Sequence, residues 1–281
     1  MTDPEGLLLV DKPKGVTSHD VVDVVRRVLG TRKVGHAGTL DPMATGLLLV
    51  GVGRATRLLR FLGSLPKTYE GEARLGVETT TLDAEGEVVA TGDVTVSRED
   101  LARAVDALVG ESNQRPPSFS AVKVGGRKLY DAARKGEAIE APARPIEVFS
   151  AELLGFEPPS FRFRLTCSSG TYVRVLAAEV GTSLGTGAHL TSLRRTAIGH
   201  FVVDDAVPPE APGEPLAVET AVGHLPRVDL SAEEALAASH GRILGPAGIE
   251  EPYGVYGPDR GLIGVYRDEG AKARPEVILS R

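Results

Sequence analysis

Two apolar rhythms run through this chain. From Phe161 to Ser168 every second residue is apolar. Phe161, Phe163, Leu165 and Cys167 fall on one side, and Arg162, Arg164, Thr166 and Ser168 on the other. That is the period of a half-buried strand. Val21, Val22, Val25, Val28 and Leu29 instead recur at the spacing of one helical face. Ser18 stands where a helix cap is needed, and Gly30 where a helix stops. Asp20 near the start and Arg26 and Arg27 near the end suit the helix dipole. The unbroken apolar runs Leu7 to Val10 and Leu47 to Gly51 read as buried strands. Tyr69 to Leu75 and Val88 to Val96 also read as strands, with Asp83 to Gly86 as a turn between them. Three more helices are predicted: Thr56 to Leu62, Arg98 to Val109 capped by Ser97, and a segment capped by Thr171 that ends at Gly181.

Between Glu111 and Pro145 the rhythm breaks. Pro116-Pro117, Gly125-Gly126 and seven basic residues mark an excursion from the core, with a short helix predicted over Lys128 to Lys135. Val207 to Pro215 holds four prolines and two acids and reads as a linker. A helix around Ala217 to Leu225 follows. After it, Gly261 to Tyr266 and Glu276 to Leu279 suggest a small all-β module. The expected boundaries are 1–206, with the excursion at about 111–145, then 207–226 for linker and helix, and 227–281.

Net charge changes the picture less than its distribution. The formal charge is -6, which argues against a polyanionic partner. Yet Lys12 to Lys67 holds ten Lys or Arg against Asp20, Asp23 and Asp41, while Phe201 to Gly270 holds thirteen acids against four arginines. A local positive field can guide a polyanion to an acidic protein. Cys167 is the sole cysteine, so an intramolecular disulfide is impossible. The first apolar run is too short for a signal or membrane segment, and a cytoplasmic location is expected.

The candidate chemistry centres on Gly35-His36-Ala37-Gly38-Thr39-Leu40-Asp41-Pro42-Met43-Ala44-Thr45-Gly46. A residue before proline is pushed out of the α region, so Asp41 should be extended or in a turn. The glycines allow tight turning or close approach. A simple Asx-type turn and a reactive carboxylate fit this run equally well. Gly181-Thr182-Ser183-Leu184-Gly185 matches the hydrolase pattern G-x-S-x-G, but a helix, not a strand, is expected before it. The histidines form no H-x-x-x-H pair, and Gly51-Val52-Gly53 completes neither a dinucleotide nor a Walker loop. No metal or cofactor is indicated. Asp41 could then act as a nucleophile, a base or an electrostatic stabiliser, and Arg174 is a cation well suited to pair with it.

These residues resemble the TruB-type tRNA pseudouridine synthases. The Gly35 to Gly46 run is similar to that family's catalytic motif. Further matches follow in order: Asp11-Lys12-Pro13 with Gly15; Lys67-Thr68-Tyr69; Leu75-Gly76 with Thr79 and Asp83; Pro116-Pro117 with Ser120-Ala121 and Lys123; Gly126 with Leu129-Tyr130 and Ala133-Arg134; Ser169 to Arg174; and Gly187 to Leu190 with Leu193-Arg194-Arg195. Phe119 and Thr80 depart from it, where tyrosine and aspartate are commoner.

The resemblance implies an α+β fold: a mixed, mainly antiparallel sheet flanked by helices, with a small C-terminal β-rich PUA-like domain. It also implies isomerisation of uridine to pseudouridine at position 55 in the T loop of tRNA, by base flipping and without cofactor or metal. Asp41, Tyr69 and Arg174 would be catalytic. His36, Tyr172, Leu193, Lys12 and Lys123 would contact the RNA. A monomer acting without a protein partner or membrane is expected. A non-catalytic RNA-binding protein on the same scaffold is the alternative from another class.

Overall fold

The computed structural model describes residues 4–117, 119, 123–125, 127–128 and 141–279. Seventeen strands fall among them: β1 (Gly6–Lys12), β2 (Val34–Ala37), β3 (Thr45–Val52), β4 (Lys67–Leu75), β5 (Val77–Thr79), β6 (Val88–Thr91), β7 (Gly110–Gln114), β8 (Lys123–Val124), β9 (Arg127–Lys128), β10 (Arg144–Glu157), β11 (Ser160–Cys167), β12 (Ala188–Ile198), β13 (Phe201–Val202), β14 (Arg227–Asp229), β15 (Tyr253–Tyr256), β16 (Leu262–Glu269) and β17 (Lys272–Ile278). The helices are α1 (Ser18–Leu29), α2 (Leu59–Gly63), α3 (Arg98–Asp106), α4 (Val173–Ser183) and α5 (Ala232–Ser239). The fold is α+β, as expected.

The large sheet runs β1-β3-β12-β4-β11-β10-β7, with β2 also on β3 and β13 on β12. Its pairs are antiparallel except β12 with β3, where Arg194 lies opposite Thr45 and Arg195 opposite Gly46. At Gly46 φ is +104°, and a Cβ there would lie 2.3 Å from the Arg195 carbonyl oxygen. Only glycine fits that backbone approach. Gly38 also has positive φ, whereas Gly35 is ordinary strand backbone in β2. The alternation from Phe161 is β11. Its apolar face is buried, and its charged face carries Arg164 against Glu70 of β4 at 2.7 Å.

Local chemistry sets the helix ends. Thr17, rather than Ser18, caps α1, through a capping box with Asp20. Ser18 is buried inside the first turn and has other work. Gly30 closes α1 in the left-handed conformation. At α4 the cap is Tyr172, rather than Thr171, and it has no side-chain cap bond.

The proline-rich stretch is not a free linker. Val207 and Leu216 each exchange main-chain hydrogen bonds with β1, the end strand of the sheet. Prolines lack the N–H to form a strand, but the non-proline residues at the two ends supply donors and acceptors to that edge. The predicted helix after it is a short 3₁₀ turn, Val218–Val222, with Ala221 and Val222 fully buried. The C-terminal unit is a β14-β15-β16-β17 sheet. It also contains α5, capped by Ser231 and Glu234. Its Val265, Val277 and Leu279 join one apolar cluster with Leu7, Leu47, Phe61 and Val222.

The predicted helix over Lys128 to Lys135 lies mostly outside the described residues, and Lys128 itself is in β9. Among the described residues no helix is long and apolar enough to cross a membrane.

Candidate active site

Asp41 lies in the loop between β2 and β3. Its carbonyl accepts from Ala44 N–H at 3.1 Å, so the acid opens a tight turn over Pro42 and Met43. The loop borders a cavity of about 400 Å³ that Tyr69, Tyr172, Arg174 and Leu193 also line. The structure therefore gathers five of the eight candidate residues, from β4, β12, the start of α4 and the Asp41 loop.

Arg174 is the hub. Its guanidinium reaches Asp41 at 3.5 Å and Asp83 at 3.1 Å. The side chains of Arg174 and Asp83 are 6% and 5% exposed, that of Asp41 44%. The closer and better-shielded partner is thus Asp83, which sequence reasoning had placed in a turn. Asp83 is itself fully engaged. Its carboxylate accepts from the Thr81 hydroxyl at 2.5 Å and from Glu85 N–H at 3.1 Å. Leu82, just before it, has φ of +63°. A non-glycine residue in that region costs of order 1–3 kcal/mol and persists only where its surroundings enforce it. Here main-chain bonds between Leu82, Ala84 and Leu190 of β12 enforce it. A buried guanidinium with one firm carboxylate partner can turn its other edge to a more exposed acid. Arg174 also donates to the Phe119 carbonyl at 2.6 Å. That contact uses main chain, so it does not depend on the phenylalanine side chain. Thr80, the other departure from the family pattern, accepts from Glu87 N–H.

Three buried polar side chains hold the Asp41 loop. The Ser18 hydroxyl accepts from Leu40 N–H at 2.9 Å and donates to Leu40 carbonyl at 3.2 Å. Arg195, 1% exposed, donates to the carbonyls of Gly38 at 2.9 Å and Leu47 at 2.7 Å. Lys12 donates to the carbonyls of Pro13, Val16 and Pro42. Lys12 is 0% exposed, so the expectation that it contacts the RNA is corrected. Its three donors are spent on three carbonyls inside the protein. Burial lowers its pKa to about 8.

The other candidates divide. The Tyr69 ring stands on the cavity wall, and burial raises its phenol pKa. His36 is half-buried in β2 and does not line the cavity. Among the described residues its Nδ1 has no hydrogen-bond partner, and burial lowers its pKa. The backbone of Lys123 is in β8, and its side chain lies outside the described residues.

Lys67, which the cavity lining includes, is buried with its ammonium on the Gly63 carbonyl. Burial again brings its pKa down to about 8. Sequence order had flagged Lys67, Asp83 and Arg195 as motif members without giving them tasks. Nothing in the sequence singled out Ser18 for the loop. The hydrolase reading fails on geometry: Ser183 ends α4, and its hydroxyl donates to the Val180 carbonyl.

The basic N-terminal region is mostly committed elsewhere. Arg54 pairs with Glu5, Arg57 donates to the Ile278 carbonyl, and Arg60 pairs with Glu276 at 2.7 Å. Lys14, Arg27, Arg32 and Lys33 are exposed.

Comparison with known proteins gives two family matches. Residues 26–173 match the N-terminal domain of the TruB family of pseudouridylate synthases. Residues 225–280 match the C-terminal domain of tRNA pseudouridine synthase II. A tRNA pseudouridine synthase B from Mycobacterium sp. (strain KMS) is 46% identical, with 98% of this chain and 96% of that protein covered. One from Thermobifida fusca (strain YX) is 44% identical, covering 98% and 99%. Among solved structures, a chain of a Cbf5-Nop10-Gar1 complex aligns with a TM-score of 0.75 and 27% identity, over 97% of this chain and 84% of that one.

Proposed function

The chain belongs to the TruB family of pseudouridylate synthases, and from that premise we propose that it isomerises uridine to pseudouridine at position 55 in the T loop of tRNA. The observation that carries the site assignment is the Asp41–Arg174–Asp83 arrangement on the cavity wall. The reaction breaks the bond from N1 of uracil to C1′ of the ribose and makes one from C5 to C1′. The C5 proton leaves and N1 gains one, so atoms balance without oxidant or cofactor.

A uracil stacked in folded RNA hides that bond and must be flipped out, at a cost of a few kcal/mol. Stacking on the Tyr69 face returns about 1–3 kcal/mol. Tyr172 and Leu193 complete the pocket walls. Asp41 is the reacting carboxylate, through addition at C6 or through action at the ribose. Arg174 fixes its direction and balances its charge. Asp83 keeps Arg174 in place, so the acid that reacts and the acid that positions share one cation.

Release of tritium from tRNA labelled at C5 of uridine tests this. The wild type releases label, Asp41→Asn does not, and tRNA with cytidine in place of uridine 55 gives none. Equal release by wild type and Asp41→Asn removes Asp41 from the reaction. An inert wild type that still binds tRNA makes the protein a binding module instead.

Within the basic Lys12 to Lys67 region, the exposed cations left for phosphate are Lys14, Arg27, Arg32 and Lys33. Each one that meets a phosphate contributes about 0.7–0.9 to the slope of log affinity against log salt. Removing Lys33 therefore flattens that slope, and removing Arg57 does not.

A further inference from the structure

Gln114 is the last residue of β7 and is 3% exposed. Its side-chain amide meets the main chain of one residue twice. The amide oxygen accepts from Tyr172 N–H at 2.7 Å, and the amide nitrogen donates to the Tyr172 carbonyl at 3.2 Å. Only a group with one donor and one acceptor side by side does both, so the side chain imitates a neighbouring strand. Tyr172 is the cap residue of α4 and has no side-chain cap of its own. Its carbonyl also receives Val175 and Leu176, the first hydrogen bonds of the helix. Gripping Tyr172 thus fixes where α4 starts, and Arg174 follows two residues later.

Gln114 also marks where the chain leaves the large sheet. Arg144, its register partner on β10, marks where it returns and lines the cavity. We propose that Gln114 is a positioning residue for the reaction. It locks the start of α4 to the end of β7, and so sets Tyr172 and Arg174 against Asp41. The inference rests on the reading of Asp41 and Arg174 as the reacting pair.

Three variants test it beside wild type: Gln114→Leu, Gln114→Glu and Asp41→Asn. Single-turnover tritium release at saturating enzyme, tRNA Kd and thermal unfolding are measured for each. In Gln114→Leu both bonds are lost. The rate falls roughly ten- to hundredfold, as a misplaced group of this kind costs, while tRNA Kd stays near wild type. In Gln114→Glu the carboxylate still accepts from Tyr172 N–H but opposes the Tyr172 carbonyl until it is protonated. Its rate relative to wild type at the same pH therefore recovers as pH falls toward the carboxyl pKa.

A wild-type rate in both folded variants overturns the proposal, as does a loss carried wholly by Kd. Should Gln114→Leu not fold, a pH-independent rate ratio in Gln114→Glu overturns it. An inactive Asp41→Asn with fully active Gln114 variants sinks this inference alone. An active Asp41→Asn sinks the site reading and this inference with it.

Discussion

Two places bring distant parts of the chain together, and they are held by different means. At the cavity, buried polar side chains grip main chain: Ser18 on Leu40, Arg195 on Gly38, Lys12 on Pro42 and Gln114 on Tyr172. At the seam with the C-terminal unit, an apolar cluster of Leu7, Leu47, Phe61, Val265 and Val277 lies inside. Arg54, Arg57 and Arg60 stand at its margin. Apolar burial is non-directional and scales with area, so it joins surfaces without fixing atoms. Hydrogen bonds fix direction, and a buried one is costly to leave half made. The seam needs cohesion. The proposed chemistry needs Asp41 and Arg174 at a set distance.

The difference can be broken experimentally. Asp83→Ala leaves Arg174 buried beside a missing partner. It should cost about 3–5 kcal/mol in urea unfolding and abolish tritium release. Asp83→Asn keeps the shape and should also lose release. An active Asp83→Asn would show that Arg174 does not need its buried acid. Phe61→Ala, at the seam, should cost about 3–5 kcal/mol through the cavity it leaves. The activity of the molecules that remain folded should be unchanged, which separates cohesion from chemistry. Arg60→Ala removes a partly exposed pair with Glu276 and should cost less than about 1 kcal/mol, a loss that salt erases.

A further test concerns pH. Lys67 has a folded pKa of about 8 against 10.5 unfolded. Between those values the unfolded chain binds more protons, so this group's contribution favours folding increasingly as pH rises through that window. Lys67→Met should flatten the rise, read as the pH dependence of Tm. An unchanged dependence would mean that Lys67 stays protonated on the Gly63 carbonyl.

The fold was legible where one apolar rhythm ruled. α1 and β11 follow from spacing alone, because each buries one face. β12 was hidden because Arg194-Arg195 sits inside it. Arg194 faces Asp11, while Arg195 is buried on three carbonyls, and neither contact leaves a trace in local pattern. The basic region misled for the same reason. A lysine read as charge for RNA, Lys12, is a crosslink between loops.

At the site, Asp41 stood out through Pro42 and its glycines, and motif order supplied Tyr69 and Arg174. Asp83 did not stand out, since a buried acid in a turn and a solvated one look alike in sequence. Gln114 and Ser18 are common residues whose value lies wholly in what they face. Lining up charges along a chain cannot show which ones the fold has already used.

β12 lies between β3 and β4, strands that precede it by more than a hundred residues. During synthesis, a chain that has reached Gly187 can pair β1, β2 and β3, and separately β4, β11, β10 and β7. Nothing yet joins the two groups through the sheet, and β4 offers a bare edge to any passing strand. Arg195, which steadies the Asp41 loop, arrives on the joining strand itself. The ribosome therefore delivers the carboxylate early with two of its anchors, Lys12 and Ser18, and the third anchor late, so the nascent protein carries the proposed reacting group well before its loop is fully held.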